Sequence, residues 1–384
     1  RLGATDEIPL RLAEDESFQV RAAVATAAGS RTDPGSLETL EGLAEDPRVA
    51  VRTAAVTALA ERLGERALPR LETLAVSDDW RLRSTAARAA GGLGEAGRPL
   101  VETLLTDADT RVRTAALEAL GAFGDARDAI VEALTADDLA VRGTAVQMVP
   151  EAGIEDAAAL LDSAYQGAAG DSWTEVREGV VDSLAKVEGG EPLLRRIASE
   201  DPAASVRARA RTALDGLGAE VPAAGEPAPP PGPSPYLGVS FEHDPLVSLE
   251  TDRGELRIRV LAHQAPIHAA HFVDLVDQGF YDGLIFHRVV PNFVVQGGDP
   301  RGDGWGSGDL TLRDEIHPGA FVRGSVGMPK AGKDTGGCQL FITHLPTPHL
   351  DGNYTIFGQV EEGLDVVDAL EVGDHIVRAR VLER

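Results

Sequence analysis

Apolar positions in the first half of the chain recur at helical spacing, in short runs that a polar turn interrupts about every 30 residues. Val51, Ala55 and Leu59 fall four apart, as do Val112, Ala116 and Leu120, so each set shares one helical face. An arginine preceded by Val or Leu marks the period, at Arg21, Arg52, Arg83, Arg113, Arg142, Arg177 and Arg207, with spacings of 31, 31, 30, 29, 35 and 30 residues. Six residues before five of them stands an aspartate (Asp15, Asp46, Asp107, Asp171, Asp201), and in the other two it stands five before (Asp78, Asp137). These aspartates are expected to cap the second helix of each unit. The runs LETLEGLA and RPLVETLL supply first helices. A pair of this kind buries its apolar face only by stacking on the next, and alanine lets the neighbours approach closely. The recurring arginines are expected to pair with the aspartates across adjacent units.

Beyond Tyr236 the pattern changes to short strands. VSLETDRGELRIRVL alternates apolar and polar positions around Asp252-Arg253-Gly254, which predicts a hairpin. APIHAAHFVDLVDQ then returns to helical spacing, with Pro266 in its first turn and Gly279 at its end. Ile267, Phe272, Leu275 and Val276 form its buried face, so His268 and His271 need not be metal ligands, and no third ligand follows from the spacing. LIFHRVV and NFVVQGGD are further strands, and they set Arg288, Phe293, Val294 and Gln296 within nine residues. Between the two patterns lies VPAAGEPAPPPGPSPY, residues 221–236, whose prolines at 222, 227, 229, 230, 231, 233 and 235 remove too many amide donors for a helix or inner strand. A semi-rigid spacer is the expectation, ahead of a ligand for a proline-recognition module. The domains are therefore expected at 1–220, a helical repeat array, and 237–384, a strand-rich unit, with a linker at 221–236.

Charge narrows the partners. With 36 Lys+Arg against 62 Asp+Glu, the formal charge is −26, which disfavours nucleic acid and anionic lipid. No apolar run is long enough for a membrane span. The single cysteine, Cys338, allows no internal disulfide and no multi-cysteine metal site, and it is expected to be a small buried thiol. GDGWGSG lacks the Lys-Ser/Thr of a phosphate loop and is expected to be a glycine-rich turn. Trp80, Trp173 and Trp305 are expected to pack. Arginine and alanine in excess suit a high-GC, bacterial genome. The chain opens on Arg1 without methionine or a signal-like run, so the expectation is a processed or truncated chain, cytoplasmic, or exported if a signal preceded Arg1.

Residues 8–218 resemble the short HEAT-like repeats of phycobilin-lyase-type and related α-solenoids, which implies a scaffold for protein contact. From about Leu246 to the end the chain resembles the cyclophilins: FHRVVPNFVVQGGD is nearly the family signature, and GSVGMPKAGKDTGGCQLFITHLPTPHLDGNYTIFGQV follows in the family's order. The resemblance implies a closed β-barrel of the cyclophilin type with flanking helices, peptidyl-prolyl cis/trans isomerase activity (EC 5.2.1.8) and a role in protein folding as a chaperone. By the same motifs Arg288 corresponds to the catalytic arginine and Gln296 to the glutamine beside it. Phe293, Val294, Phe341 and Leu350 match the wall of the proline pocket, Ala331 and Gln339 the contacts to the substrate backbone, and His349 and Tyr354 the rim. Val294, His349 and Tyr354 depart from the family's usual methionine, tryptophan and histidine, and Pro329 and Lys330 from its small residue and asparagine. The implied chemistry is rotation about a peptide bond, which uses no cofactor or metal. Proline-containing peptides and unfolded or partly folded proteins are the implied partners. A proline-binding module without turnover is the alternative, and so is a chain whose solenoid is its functional centre.

Overall fold

Alanine-rich runs broken by Asp, Gly and Pro fold as helix pairs, and glycine-bounded Val/Ile/Phe runs fold as strands. In the computed structural model, which describes residues 10–124, 126–170, 173–222, 233–308 and 310–384, the two patterns form separate units, Arg1–Ala228 and Pro229–Arg384.

In the first unit α1 (Phe18–Gly29) is followed by six pairs: α2 (Pro34–Leu43) and α3 (Val49–Leu63), α4 (Leu68–Ala75) and α5 (Trp80–Gly91), α6 (Arg98–Leu104) and α7 (Thr110–Leu120), α8 (Arg127–Ala133) and α9 (Leu139–Met148), α10 (Ala157–Gly167) and α11 (Thr174–Leu184), α12 (Glu191–Glu200) and α13 (Ala204–Gly216). The odd-numbered helices stack on one another in sequence order, and each even-numbered helix packs against its partner as a second layer. Small residues set the spacing. A Cβ on Gly29 would stand 2.9 Å from that of Ala58, and one on Gly91 2.9 Å from that of Ala119, distances that side-chain atoms do not tolerate. Val51, Ala55, Leu59, Val112, Ala116 and Leu120 are all buried. No helix among the described residues is long and apolar enough to cross a membrane.

Each repeat arginine is the fourth residue of its helix, and its guanidinium donates to a backbone carbonyl of the loop ahead of that helix; three of them also cross to a carboxylate of the next unit. Arg21 donates from Nε and Nη2 to the Asp46 carboxylate at 2.7 and 2.9 Å, Arg83 does the same to Asp107 at 2.8 and 3.0 Å, and Arg177 reaches Asp201 at 3.0 Å. Arg52, Arg113 and Arg207 make the own-loop contact without the crossing, to the carbonyls of Asp46, Asp107 and Asp201, the counterpart of Arg21 to Asp15 and Arg83 to Ser77. Arg142 donates to the carbonyls of Ala136 and Gly167 and lies over the Trp173 ring. The expected pairing across units thus holds at Asp46, Asp107 and Asp201.

The capping expectation needs correction. Asp15, Asp46, Asp107 and Asp201 stand three residues before their helices and accept the N–H two residues on, from Ser17, Arg48, Asp109 and Ala203. They hold the approach turn, because a side chain so far from the first turn cannot reach its amides. The caps are the neighbouring Asp79, Asp109 and Asp138, which accept from Arg81, Arg111 and Ala140. Asp78 and Asp137 each lie one residue ahead of a cap, and Asp171 lies outside the described residues.

The second unit holds eight strands: β1 (Leu246–Thr251), β2 (Gly254–Val260), β3 (Phe286–Val290), β4 (Val294–Gly297), β5 (Ser325–Gly327), β6 (Leu340–Thr343), β7 (Ile356–Glu362) and β8 (Ile376–Glu383). They form one antiparallel sheet in the order β3-β4-β6-β5-β7-β2-β1-β8. The sheet curls until its outer strands meet at one end, where Ile285 bridges His375 and Ile376 N–H donates to Leu284 at 2.7 Å. No longer ladder joins β3 to β8 among the described residues, so the observed form is a curled half-barrel where a closed barrel is expected. Its core is Ile258, Phe272, Tyr281, Phe286, Val326, Ile342 and Phe357.

Helix α14 (Pro266–Asp277) packs against β7 and β8, and α15 (Leu364–Ala369) against β2. The N-terminus of α14 meets the Glu315 carboxylate, which accepts from the N–H groups of Ile267 (3.1 Å) and His268 (2.8 Å) and pairs with His268 Nδ1 at 2.7 Å. His271 Nδ1 lies 3.1 Å from the Tyr236 hydroxyl, which donates to Asp274 at 2.7 Å. Both histidines therefore have structural partners.

Candidate active site

A tight turn aims the first aromatic residue. Between β3 and β4 the chain reads Val290-Pro291-Asn292-Phe293, and Phe293 N–H donates back to Val290 at 3.0 Å. Proline presets the second position of such a turn, and Asn292, at φ 62, takes the left-handed third position that asparagine tolerates. The Phe293 carbonyl is then held by His344 N–H at 2.8 Å.

Alternation along the strands does the rest. Val294 and Gln296 are two apart on β4, and Gln296 sits in register with Arg288 on β3 and with Phe341 on β6. Val294, Phe321, Phe341, Leu350 and Ile356 form a second apolar cluster apart from the main core, with Phe293, Tyr354 and Leu261 packed against it. The rings are ordered around one another: Phe341 stacks on Phe321 at 5.4 Å and meets Tyr354 edge-on at 6.0 Å, while Phe293 stacks on exposed His349 at 5.4 Å. This is an aromatic wall that is partly open to solvent.

Polar groups line one edge of it. Arg288 is exposed, its guanidinium carbon 5.8 Å from the Phe293 ring centre, and Nη1 makes a long 3.5 Å contact to Gln296 Oε1. Gln296 Nε2 donates to Gln339 Oε1 at 2.9 Å, and Gln339 Nε2 donates to the carbonyls of Gly304 (3.1 Å) and Gly306 (2.7 Å). The run GDGWGSG is thus a glycine turn whose carbonyls fix Gln339. The buried Asp299 carboxylate holds the turn in place by accepting the N–H groups of Arg301 and Asp303. On the Tyr354 side, Lys330 Nζ lies 5.3 Å from the ring centre and pairs with Asp314. Burial pushes the His287 imidazole below the usual histidine range, and the Arg288 charge pushes the same way, against Asp299 and Asp303. His287 is therefore held toward its neutral form beside the Arg288 guanidinium.

The structure brings together Arg288, Phe293, Val294, Gln296, Gln339, Phe341, His349, Leu350 and Tyr354. Ala331 is exposed and lies outside the apolar cluster, one residue beyond Lys330. Phe321 and Ile356 belong to the wall and were not legible as such. Phe321 lies in HPGAFVRGS, which has no strand alternation, and Ile356 in a run that reads as ordinary core. Cys338 is buried, as expected.

A helical repeat array followed by a curled antiparallel sheet with an aromatic wall puts the chain in the class of multidomain proteins that join a solenoid to a β-sheet unit. Residues 8–91, 72–149 and 97–169 match the model of HEAT repeats, and residues 246–383 match that of the cyclophilin type peptidyl-prolyl cis-trans isomerases. The chain is 46% identical over 136 residues to a peptidyl-prolyl cis-trans isomerase of Synechococcus elongatus, covering 35% of this chain and 94% of that one. It is 43% identical over 132 residues to peptidyl-prolyl cis-trans isomerase B of Bacillus subtilis, covering 34% and 92%. A cyclophilin type isomerase of Cryptosporidium parvum of known structure is 28% identical, with 37% of this chain and 99% of that one covered and a TM-score of 0.36. The chain belongs to the cyclophilin-type peptidyl-prolyl cis-trans isomerases, with HEAT repeats ahead of the isomerase domain.

Proposed function

We propose that the cavity holds the proline ring of a peptide against Phe293, Val294, Phe341 and Leu350, and that Arg288 is the catalytic residue. Rotation about a peptide bond faces a barrier of ~18–20 kcal/mol because the nitrogen lone pair is conjugated with the carbonyl. In the twisted transition state that conjugation is lost and the prolyl nitrogen becomes a hydrogen-bond acceptor. A guanidinium fixed above it stabilises the transition state more than either planar ground state, which is what catalysis requires. A guanidinium is a permanent cation in proteins, and the planar fork of Arg288 can donate to nitrogen and carbonyl together. The observation that carries this reading is the exposed Arg288 in register with Gln296, at the lip of an aromatic wall.

Gln296 then orients Arg288. Gln339, whose amide is taken up by Gln296 and two glycine carbonyls, acts as a positioning residue. Ala331 contributes backbone contact, and His349 and Tyr354 form the rim. No acid, base, nucleophile, cofactor or metal takes part. The functional domains are the repeat array 1–220, a linker at 221–236 and the isomerase 237–384, with the sheet closing as a barrel across the Ile285–His375 bridge. The array docks partly folded client proteins for the isomerase, so that the chain serves as a folding factor.

The decisive test is a protease-coupled isomerisation assay on Arg288→Ala. Turnover is expected to fall ~100-fold or more, the scale for losing one preorganised donor, while the circular dichroism spectrum stays unchanged. Near-normal activity would remove Arg288 from the mechanism.

A further inference from the structure

Two chain segments beside Tyr354 carry positive charge in a chain that is otherwise strongly acidic. Residues 312–315 and 328–336 meet where Leu312 N–H donates to the Gly336 carbonyl at 2.7 Å, and both reach Thr355, the neighbour of Tyr354. Met328 N–H donates to the Thr355 carbonyl at 3.0 Å, and Glu315 N–H to its hydroxyl at 2.9 Å. Thr335 closes the turn that follows Ala331, accepting Gly332 N–H on its hydroxyl at 2.9 Å. This frame holds Arg313, Lys330 and Lys333 on the Tyr354 side of the aromatic wall, with Lys330 Nζ 5.3 Å from the Tyr354 ring centre.

The three cations differ in what opposes them. Lys330 is balanced by Asp314, and both are largely buried. Asp334 gives a carboxylate oxygen to Asp314 N–H, Glu315 is turned to His268 and the first amides of α14, and Asp351 accepts Phe321 N–H. Arg313 and Lys333 are exposed and make no ion pair among the described residues. Elsewhere in this unit Arg253, Arg259, Arg301 and Arg323 are each tied to a carboxylate. Arg378 and Arg380 are exposed on β8, where they stand opposite Glu250 and Ser248. The formal charge of −26 does not cancel the local excess. At ~0.1 M salt, exposed charges more than ~10 Å apart are largely screened, so a peptide on the wall meets the nearest cations and little of the distant carboxylates.

We infer that the enzyme selects prolyl peptides with an acidic side chain, Asp or Glu, within two positions of the proline, and that Arg313 and Lys333 determine this specificity. The inference rests on the reading of the wall as the proline site, in which a peptide backbone laid along Ala331 passes between Lys330 and Lys333. Neither free cation touches the rotating bond. Both act on capture of the peptide, so their effect falls on kcat/KM and spares kcat.

Exchange NMR on acetylated and amidated pentapeptides reads the cis-trans rate with no terminal charge and no coupling protease, against an uncatalysed exchange of tens to hundreds of seconds. Glu replaces Gln in turn at the two positions before and the two after a central proline. At about 20 mM salt the full chain is expected to turn over at least one Glu peptide ~5-fold faster in kcat/KM than its Gln twin, the scale for two exposed charge contacts. The advantage is expected to fall below ~2-fold in the Arg313→Gln/Lys333→Gln double variant and, for the unsubstituted chain, at about 500 mM salt, while the Gln peptides keep their rates in the double variant. Equal rates for Glu and Gln peptides at all four positions overturn the inference. So does an advantage that survives in the double variant, which assigns it to Arg288, or one that salt leaves intact, which assigns it to shape. Arg288→Ala in the same assay separates this claim from the one beneath it. Slow turnover of every peptide by that variant, with equal Glu and Gln rates in the unsubstituted chain, defeats the specificity claim alone, whereas normal turnover by Arg288→Ala defeats the proline-site reading as well.

Discussion

At the scale of single residues, the site depends on one cation and the amides that steady it. A guanidinium is charged throughout the working range, and burial lowers the pKa of His287 beside it and favours the neutral ring. Turnover of a peptide without ionisable groups is therefore expected to stay flat from about pH 7 to 9, and a bell-shaped profile would point to an acid or base that the mechanism lacks. Gln339 gives a sharper test, because it touches Gln296 and two carbonyls. Gln339→Leu is expected to lower kcat by ~10-fold, about 1.4 kcal/mol, and to leave KM nearly unchanged. An effect confined to KM would instead make Gln339 a substrate contact. The residues behind this picture were readable from FHRVVPNFVVQGGD because a catalytic constellation on adjacent short strands is local in sequence. Phe321 was not readable, since only the packing of a loop against β6 brings it to Phe341.

The elements are held by carboxylates whose ionisation the fold favours. Burial raises the pKa of Asp107, but its hydrogen bonds from Arg83 and from Asp109 N–H outweigh that and hold it below the usual 3.8. Asp46 behaves likewise toward Arg21 and Arg48. A depressed carboxylate stabilises the fold above its unfolded pKa and loses that contribution as pH falls through the folded value, so the array is expected to lose stability from about pH 4 downward. Asp107→Asn is expected to cost ~1.5–3 kcal/mol at neutral pH, the range for hydrogen bonds to a charged group, and urea titration of the far-ultraviolet signal checks it.

Glu315 plays the same part for α14. Burial opposes its charge, His268 and the helix amides prevail, and its pKa is lowered. Glu315→Ala is expected to destabilise the second unit by ~1–2 kcal/mol, from a charged hydrogen bond and the helix dipole together, and urea unfolding of the second unit measures it. The role of Glu315 was hidden in the sequence, because the helix it serves begins 49 residues earlier at Pro266. The turn aspartates were visible but misassigned, since a cap and a residue two places before it look alike until the helix start is known.

On the scale of the whole molecule, two cores of different kinds share one chain. One is assembled from neighbours in sequence, the other from strands as far apart as β1 and β8. Residues 233–384, which keep the Tyr236 contacts to α14, are expected to fold alone and to isomerise short peptides at a rate within ~3-fold of the full chain, because the eight strands begin at Leu246 and the buried core they enclose begins at Val247. An insoluble or inactive fragment would mean that the repeats complete the enzyme. The modular plan was legible throughout: the period of the arginines, the proline-rich break and the change to alternation each mark a boundary. The curl of the sheet was not, because strand alternation fixes which side of a strand is buried and not how its outer strands meet.

The two kinds of arginine have a mechanical consequence. A guanidinium crosses to the next repeat at Asp46, Asp107 and Asp201, where that aspartate lies six residues before the next arginine, and among the described residues none crosses to Asp78 or Asp137, where the spacing is five. A charged clasp therefore joins α1 to α3, α5 to α7 and α11 to α13, whereas between α7 and α9 the crossing is made by the Thr110 hydroxyl, which takes a hydrogen bond from Arg113 and donates to Asp138. Under tension the clasped joints are expected to open after the others, and pulling on the array by its ends, with and without Asp107→Asn, measures whether the α5–α7 joint loses that resistance.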